Sequence, residues 1–387
     1  MGALLAVACA LVASGVAVWL TIHICVRHQI GMDHPSESRK IHGHPTPRTG
    51  GVGIVLGYVL TLAVLKLYGY PWVLASGLLL TTLPVFLVGF AEDLTNKVGA
   101  TLRYVAAMFS ALIGCGLIGS MLHRVDIPFI DALLAFPVIC VAVSVFASAS
   151  VAHAMNLIDG SNGLCSMTSV VAFLAICGVA WAVGDQDVMI AAAVAAGAFF
   201  GFFLFNFPIG RIFLGDGGAY TAGLFLAQLS ILLVARNPQV SAWFPLLLLL
   251  YPIWETLFTV YRRAVKQRVS LATPDSLHMH HLVYRRVVLK SRAKHISERF
   301  AFITRGSLAS VIMWGFVLIT VTPALIWWDN TPVLMALALV YAFFYSWVYD
   351  RLAKSRPARV IPRLQSAATG LKIMAADAGR PLGRNSE

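Results

Sequence analysis

Charge is what this sequence lacks. Of its 387 residues only 12% are charged, while 59% are hydrophobic. A soluble domain carries about 25% charged residues, so the deficit excludes an ordinary water-soluble globule. Acidic residues are scarcest: 17 Asp and Glu stand against 29 Lys and Arg, a formal net charge of +12. In a soluble chain that excess would suggest nucleic acid. Among long apolar runs it marks membrane-adjacent loops that favour anionic headgroups, and no nucleic-acid partner is expected. Paired cysteines are missing too. Cys9, Cys25, Cys115, Cys140, Cys165 and Cys177 form no Cys-x-x-Cys pair and mostly lie in or beside apolar runs. That excludes a disulfide framework and a cysteine zinc site. No internal repeat and no long low-complexity stretch is present.

What is present is a series of apolar runs. They predict spans near residues 3–24, 51–67, 72–90, 101–121, 132–151, 164–183, 188–205, 218–235, 241–261, 306–327 and 332–349. Each is close to the roughly 17–25 residues that a helix needs to cross a bilayer. The expected fold is therefore all-α, a polytopic membrane protein with about eleven transmembrane helices. The first run has no basic stretch before it, and Arg27 and His28 follow it. That pattern predicts a retained first span with the N-terminus outside. On this topology only Lys66, Arg124 and Arg236 fall in or beside outer loops, and the other Lys and Arg lie in or at the edge of inner segments. The positive-inside rule then places the C-terminus in the cytoplasm. Residues 1–350 read as a single polytopic domain with cytoplasmic loops, and 351–387 as a basic, flexible cytoplasmic tail.

The inner loops hold the polar motifs. The first, from Asp33 to Gly51, sets Lys40 and Arg48 beside Pro and Gly; both cations suit phosphate oxygens, although a basic collar would look the same. The second ends an apolar run with Glu92 and Asp93, followed by Lys97. Adjacent carboxylates repel unless a cation is near, and they suit Mg²⁺ or proton transfer; an acidic helix end is the plainer alternative. The third spaces Asn156, Asp159 and Asn162 three apart. On a helix they would share a face, and hard oxygen ligands suit Mg²⁺, yet turns use the same residues.

In the fourth, Asn206 precedes Gly215-Asp216-Gly217, where a carboxylate at a helix start can bind metal while exposed amides face phosphates. No Walker Gly-Lys-Ser/Thr follows it. The competing reading is a capping Asp. The fifth carries His278, His280 and His281 in a basic loop without a Glu or Cys ligand set. That setting favours contact with phosphate or sugar over a transition metal. Glu255, in the inner half of the ninth run, reads as a structural partner for Arg262 or Arg263.

Taken in order, these motifs resemble the polyprenyl-phosphate N-acetylhexosamine-1-phosphate transferases, glycosyltransferase family 4. The resemblance runs from about Asp33 to His281 and leans to the bacterial undecaprenyl-phosphate GlcNAc-1-phosphate branch, whose His-x-His-His is similar to His278-Met279-His280-His281. It implies a Mg²⁺-dependent phosphoglycosyltransferase, with Mn²⁺ as a substitute. The implied substrates are undecaprenyl phosphate and a UDP-N-acetylhexosamine, and the implied location is the bacterial inner membrane with a cytoplasmic active site. A homodimer is also an expectation.

By position, the resemblance implies metal ligation by Asp216 and Asn156, and an acidic pair, Glu92 and Asp93, at the lipid phosphate. It implies catalytic support from Asp159, with substrate contacts from Lys40, Arg48, Lys97, Asn162, Asn206, His278, His280 and His281. Two positions depart from the family pattern. Glu92 stands where Asp is common, and Asn162 where many bacterial members carry Asp. A transporter and a silent scaffold of the same family are the rival readings. Against a transporter, most of the polar residues lie in inner loops and few near the bilayer midplane.

Overall fold

The structure, a computed structural model, describes residues 2–34, 45–269, 275, 277–288 and 298–354, with side chains from 306 onward in the last stretch. Lys40, expected at the site, and most of the expected tail lie outside the described residues.

The described chain is helical apart from one short antiparallel pair. The helices are α1 (Gly2–His28), α2 (Gly50–Leu67), α3 (Val73–Thr95), α4 (Ala100–Leu117), α5 (Pro128–Leu134), α6 (Pro137–Leu157), α7 (Leu164–Val183) and α8 (Gln186–Asn206). They continue with α9 (Gly215–Arg236), α10 (Trp243–Leu248), α11 (Leu250–Tyr261), α12 (Met279–Val283), α13 (Glu298–Ile326) and α14 (Thr331–Lys354). Strands β1 (Met32–Asp33) and β2 (Thr46–Pro47) close the base of the first loop. Two π-helical turns, Arg262–Gln267 and Tyr284–Val288, follow α11 and α12.

Among the described residues, ten helices are long and apolar enough to cross a bilayer. The chain is thus an all-α, multi-pass membrane protein. The expected ninth span, 241–261, is not one helix: it breaks at Leu249 into α10 and α11. Pro252 explains the break, because it has no N–H for the Leu248 carbonyl and its ring crowds that carbonyl. The expected fifth span also shifts. Its first residues form the short α5, and α6 starts at Pro137, a residue pre-set for a first helical turn. The later end carries Asn156 onto the last turn of α6.

Helix α9 is the axis of the bundle. Every residue from Gly215 to Val234 is buried, and α2, α3, α4, α6, α7 and α8 all pack on it. Lipid tails supply no hydrophobic drive between helices, so close backbone packing of small residues matters. The contact of α8 with α1 shows this: a Cβ at Gly197 would strike the Val7 carbonyl, and Ser14 Oγ donates to the Ala198 carbonyl at 2.7 Å. In mid-bundle, the Thr81 hydroxyl donates to Gln228 Oε1 at 2.8 Å, so α3 and α9 share a buried polar contact.

Candidate active site

Five connections meet at one end of this bundle. The Gly50 and Gly51 amides donate to the Phe213 and Leu214 carbonyls, each at 3.0 Å, and Phe213 N–H donates to the Pro47 carbonyl at 2.8 Å. These bonds join the first loop to the loop before α9. Asn206 joins that loop to the α6–α7 turn: its Oδ1 accepts from Gly163 N–H at 2.6 Å and its Nδ2 donates to the Ile212 carbonyl at 2.8 Å.

The centre is the first turn of α9. Gly215 takes a φ of +75°, and a Cβ there would collide with the Arg48 carbonyl and the Asp93 carboxylate. Only glycine therefore lets the chain enter the helix at this angle. Helix N-termini expose unpaired amides and favour anions. Asp93, from the end of α3, meets that need: Oδ1 accepts from Asp216 N–H at 2.8 Å and Oδ2 from Gly217 N–H at 3.0 Å.

The Asp216 carboxylate is thereby fixed in direction. Its Oδ2 pairs with Arg103 from α4, and its Oδ1 accepts from Asn156 Nδ2 at 3.0 Å. Arg48 stands over both acids, 3.8 Å from Asp93 and 3.9 Å from Asp216, and is steadied by Asn96 at 2.8 Å. Asp93, Asn156 and Asp216 are therefore one cluster, built by three different helices.

The α6–α7 turn lies alongside. Half-buried Asp159 has its carboxyl pushed up to about 7, first by burial and then by the nearby Asp216 charge, with Arg48 opposing. The Asn162 carboxamide packs on Gly210. The ring of His280 covers Gly160 so closely that a Cβ there would overlap it. Trp314, from α13, donates to the Gly163 carbonyl at 3.2 Å.

The histidine segment is tethered by Glu255. Its Oε1 accepts from Met279 N–H at 3.1 Å and lies 3.2 Å from His278 Nδ1; its Oε2 accepts from the Tyr345 hydroxyl. Glu255 is thus structural, as expected, but its partners are the histidine segment and α14; Asp275 pairs with Arg262 instead. Burial works against the Asp275 carboxylate, yet the Leu277 amide and Arg262 hold it below the usual range. His280 is buried, and among the described residues neither ring nitrogen has a hydrogen-bond partner. Burial keeps it neutral, well below the ordinary histidine range, and moves His281 down to about 4.

The expected residues do not all converge. Glu92 Oε2 accepts from Val98 N–H at 2.7 Å and closes the turn after α3. It does not share the inward direction of Asp93. Lys97 is exposed on the same turn. Asn206, expected as a nucleotide contact, has both ends of its carboxamide engaged with backbone, and His278 is engaged with Glu255. Arg103 was not anticipated. The signal was available, since a cation inside an apolar run is a functional suspect.

The profile described as glycosyl transferase family 4 matches residues 75–234. That stretch contains Asp93, Arg103, Asn156, Asp159 and Asp216. Over that stretch the chain is similar to this family. It is 26% identical over 251 residues to a probable undecaprenyl-phosphate N-acetylglucosaminyl 1-phosphate transferase of Bacillus subtilis, covering 65% of this chain and 68% of that protein. It is 27% identical over 295 residues to the decaprenyl-phosphate N-acetylglucosaminephosphotransferase of Mycobacterium leprae, covering 66% and 72%. It is 32% identical over 204 residues to the phospho-N-acetylmuramoyl-pentapeptide-transferase of Streptococcus equi subsp. zooepidemicus, covering 49% and 59%.

Proposed function

We propose that this chain transfers N-acetylhexosamine 1-phosphate from a UDP-sugar, UDP-GlcNAc first among them, to undecaprenyl phosphate at the cytoplasmic face of a bacterial inner membrane. The product is a lipid-diphosphate sugar that starts a cell-surface glycan. The observation that carries this reading is the Asp216 cluster. A carboxylate at a helix start, held by Arg103, Asn156 and an Asp93 cap, sits at one end of a bundle of membrane-spanning helices. The names of the relatives support the same reaction.

In the reaction an oxygen of the lipid phosphate attacks the sugar-linked phosphorus of the donor. The bond from that phosphorus to the bridging oxygen breaks, and UMP leaves with the oxygen. A phosphate monoester has a second pKa of about 6, so much of the acceptor is already dianionic. Positioning and charge neutralisation then dominate over proton removal. Arg48 and Arg103 bring cations to the meeting point. The His280 ring and the α6–α7 turn wall the donor side.

The residues fit Mg²⁺. Among the described residues no three His, Cys, Asp or Glu side chains form a ready-made cage. Mg²⁺ commonly uses one or two carboxylates, substrate phosphates and waters. Asp216 would ligate it. Asn156 gives its amide N–H to Asp216, and its carbonyl oxygen would be a second hard donor. A cation held there would neutralise diphosphate oxygens in the transition state, and Mn²⁺ suits the same oxygen donors.

The test is incubation of purified full-length protein with UDP-GlcNAc, undecaprenyl phosphate and Mg²⁺. Equimolar UMP and lipid-diphosphate GlcNAc are expected. Absence of product with a full panel of UDP-N-acetylhexosamines would refute the proposal.

A further inference from the structure

Beneath the Asp216 cluster lies a second layer made by the same three helices. On α6, His153 precedes Asn156 by three residues; on α9, Tyr220 follows Asp216 by four; on α4, Tyr104 follows Arg103. Positions three or four apart on a helix share a face, so His153 and Tyr220 meet about one turn deeper than Asn156 and Asp216, and Tyr104, next to Arg103, packs on the same imidazole. The His153 ring centroid lies 4.8 Å from Tyr104, and 4.8 Å from Tyr220 in an edge-on contact.

These contacts fix the imidazole through its faces and edges. They leave Nε2 enclosed, and among the described residues it has no hydrogen-bond partner. Buried polar groups normally have partners, and an exception calls for an explanation. A purely structural histidine would be expected to engage that nitrogen with a neighbouring carbonyl or hydroxyl, and among the described residues Nε2 meets neither.

Direction of approach identifies the missing partner. The UDP-sugar is water-soluble and comes from the aqueous side of Asp216. A lipid phosphate comes from the bilayer, on the deeper side, where His153 stands. Leu102 and Val105, which flank Arg103 and Tyr104 on α4, are 55% and 53% exposed, an apolar face along which a prenyl chain can lie. We infer that His153 is an acceptor-binding residue whose imidazole donates a hydrogen bond to the phosphate of the polyprenyl acceptor, opposite Arg103. This rests on the proposed transferase reading and adds a determinant for one of its two substrates.

Full-length protein in nanodiscs, assayed with a short-chain polyprenyl phosphate and UDP-GlcNAc, tests it. His153→Phe keeps the aromatic packing and removes both nitrogens; His153→Gln keeps a donor. The Phe variant is expected to raise the acceptor KM about tenfold, the scale of one lost charge-assisted hydrogen bond, with the donor KM within about twofold. The Gln variant should recover part of the loss. An unchanged acceptor KM, or an equal rise in both constants, overturns the inference. Should the Phe variant fail to fold, equilibrium binding of the same lipid phosphate to the His153→Gln variant without UDP-sugar decides: affinity below wild type with intact UDP-GlcNAc binding supports the inference, and wild-type affinity overturns it. The donor-free binding assay also separates this inference from the parent reading. If wild-type protein turns over no UDP-sugar, the transferase reading fails, while weaker lipid phosphate binding by the Phe variant still establishes the His153 site.

Discussion

The Asp93 carboxylate closes the N-terminus of α9, accepting from the Asp216 and Gly217 amides at 2.8 and 3.0 Å. An acid from one helix thus sets where the acid of another points. Asp93 is 2% exposed, so both its oxygens depend on these donors.

Asp93→Asn therefore carries a structural cost as well as a functional one. Asn has one acceptor oxygen, and its NH₂ would face a backbone amide. The loss should be about 1–2 kcal/mol, the scale of a lost helix cap, with activity down at least about tenfold. Thermal unfolding in detergent checks the first part. A variant as stable as wild type but inactive would instead assign Asp93 a direct chemical role.

Arg103→Ala should remove the close partner of Asp216 and lower kcat about a hundredfold, the scale of one lost transition-state contact. Arg103→Lys should retain part of the rate, since Lys is a point charge without the planar fork. Full activity in the Ala variant would show that this pair is only a resting contact.

Much of the site was legible in the sequence. Hydropathy located the helices, because lipid demands long apolar runs. Asp93, Asn156 and Asp216 stood out as polar residues at the ends of those runs, and all three meet. Arg103 was hidden because it reads as the charged first turn of an apolar run, and its partner lies 113 residues away. The partners of Glu255 were equally hidden, since Tyr345 and Met279 become neighbours only when α14 and the histidine segment dock on α11. Side-chain direction was out of reach as well: Glu92 and Asp93 are adjacent, yet one closes a turn and the other enters the cluster.

Glu255→Ala should untie the histidine segment by removing the acceptor for His278, Met279 and Tyr345. A stability loss of about 1–3 kcal/mol is expected for stranding buried donors, with a raised donor KM. Kinetics against UDP-GlcNAc at saturating lipid measure it; an unaltered donor KM would separate this segment from the donor.

The Asp159 carboxyl, raised to about 7, makes a pH prediction. Its unfolded value is about 3.9. A folded value above the unfolded one means that the native state holds the proton more tightly. The stabilisation is complete below about pH 4 and is lost as pH rises through about 7. EDTA-treated wild type should therefore lose more stability between pH 5 and pH 8 than Asp159→Asn does. Parallel melting curves across that range would contradict the assignment.

In the proposed reaction Asp216 organises transfer between a lipid phosphate and a UDP-sugar. Lipid-dependent UMP release by wild type and Asp216→Asn, with and without EDTA and restored Mg²⁺, tests it most directly. Release is expected from wild type only when lipid and Mg²⁺ are both present, and none from the folded Asn variant. Near-normal release by that variant, or release indifferent to lipid, would contradict it.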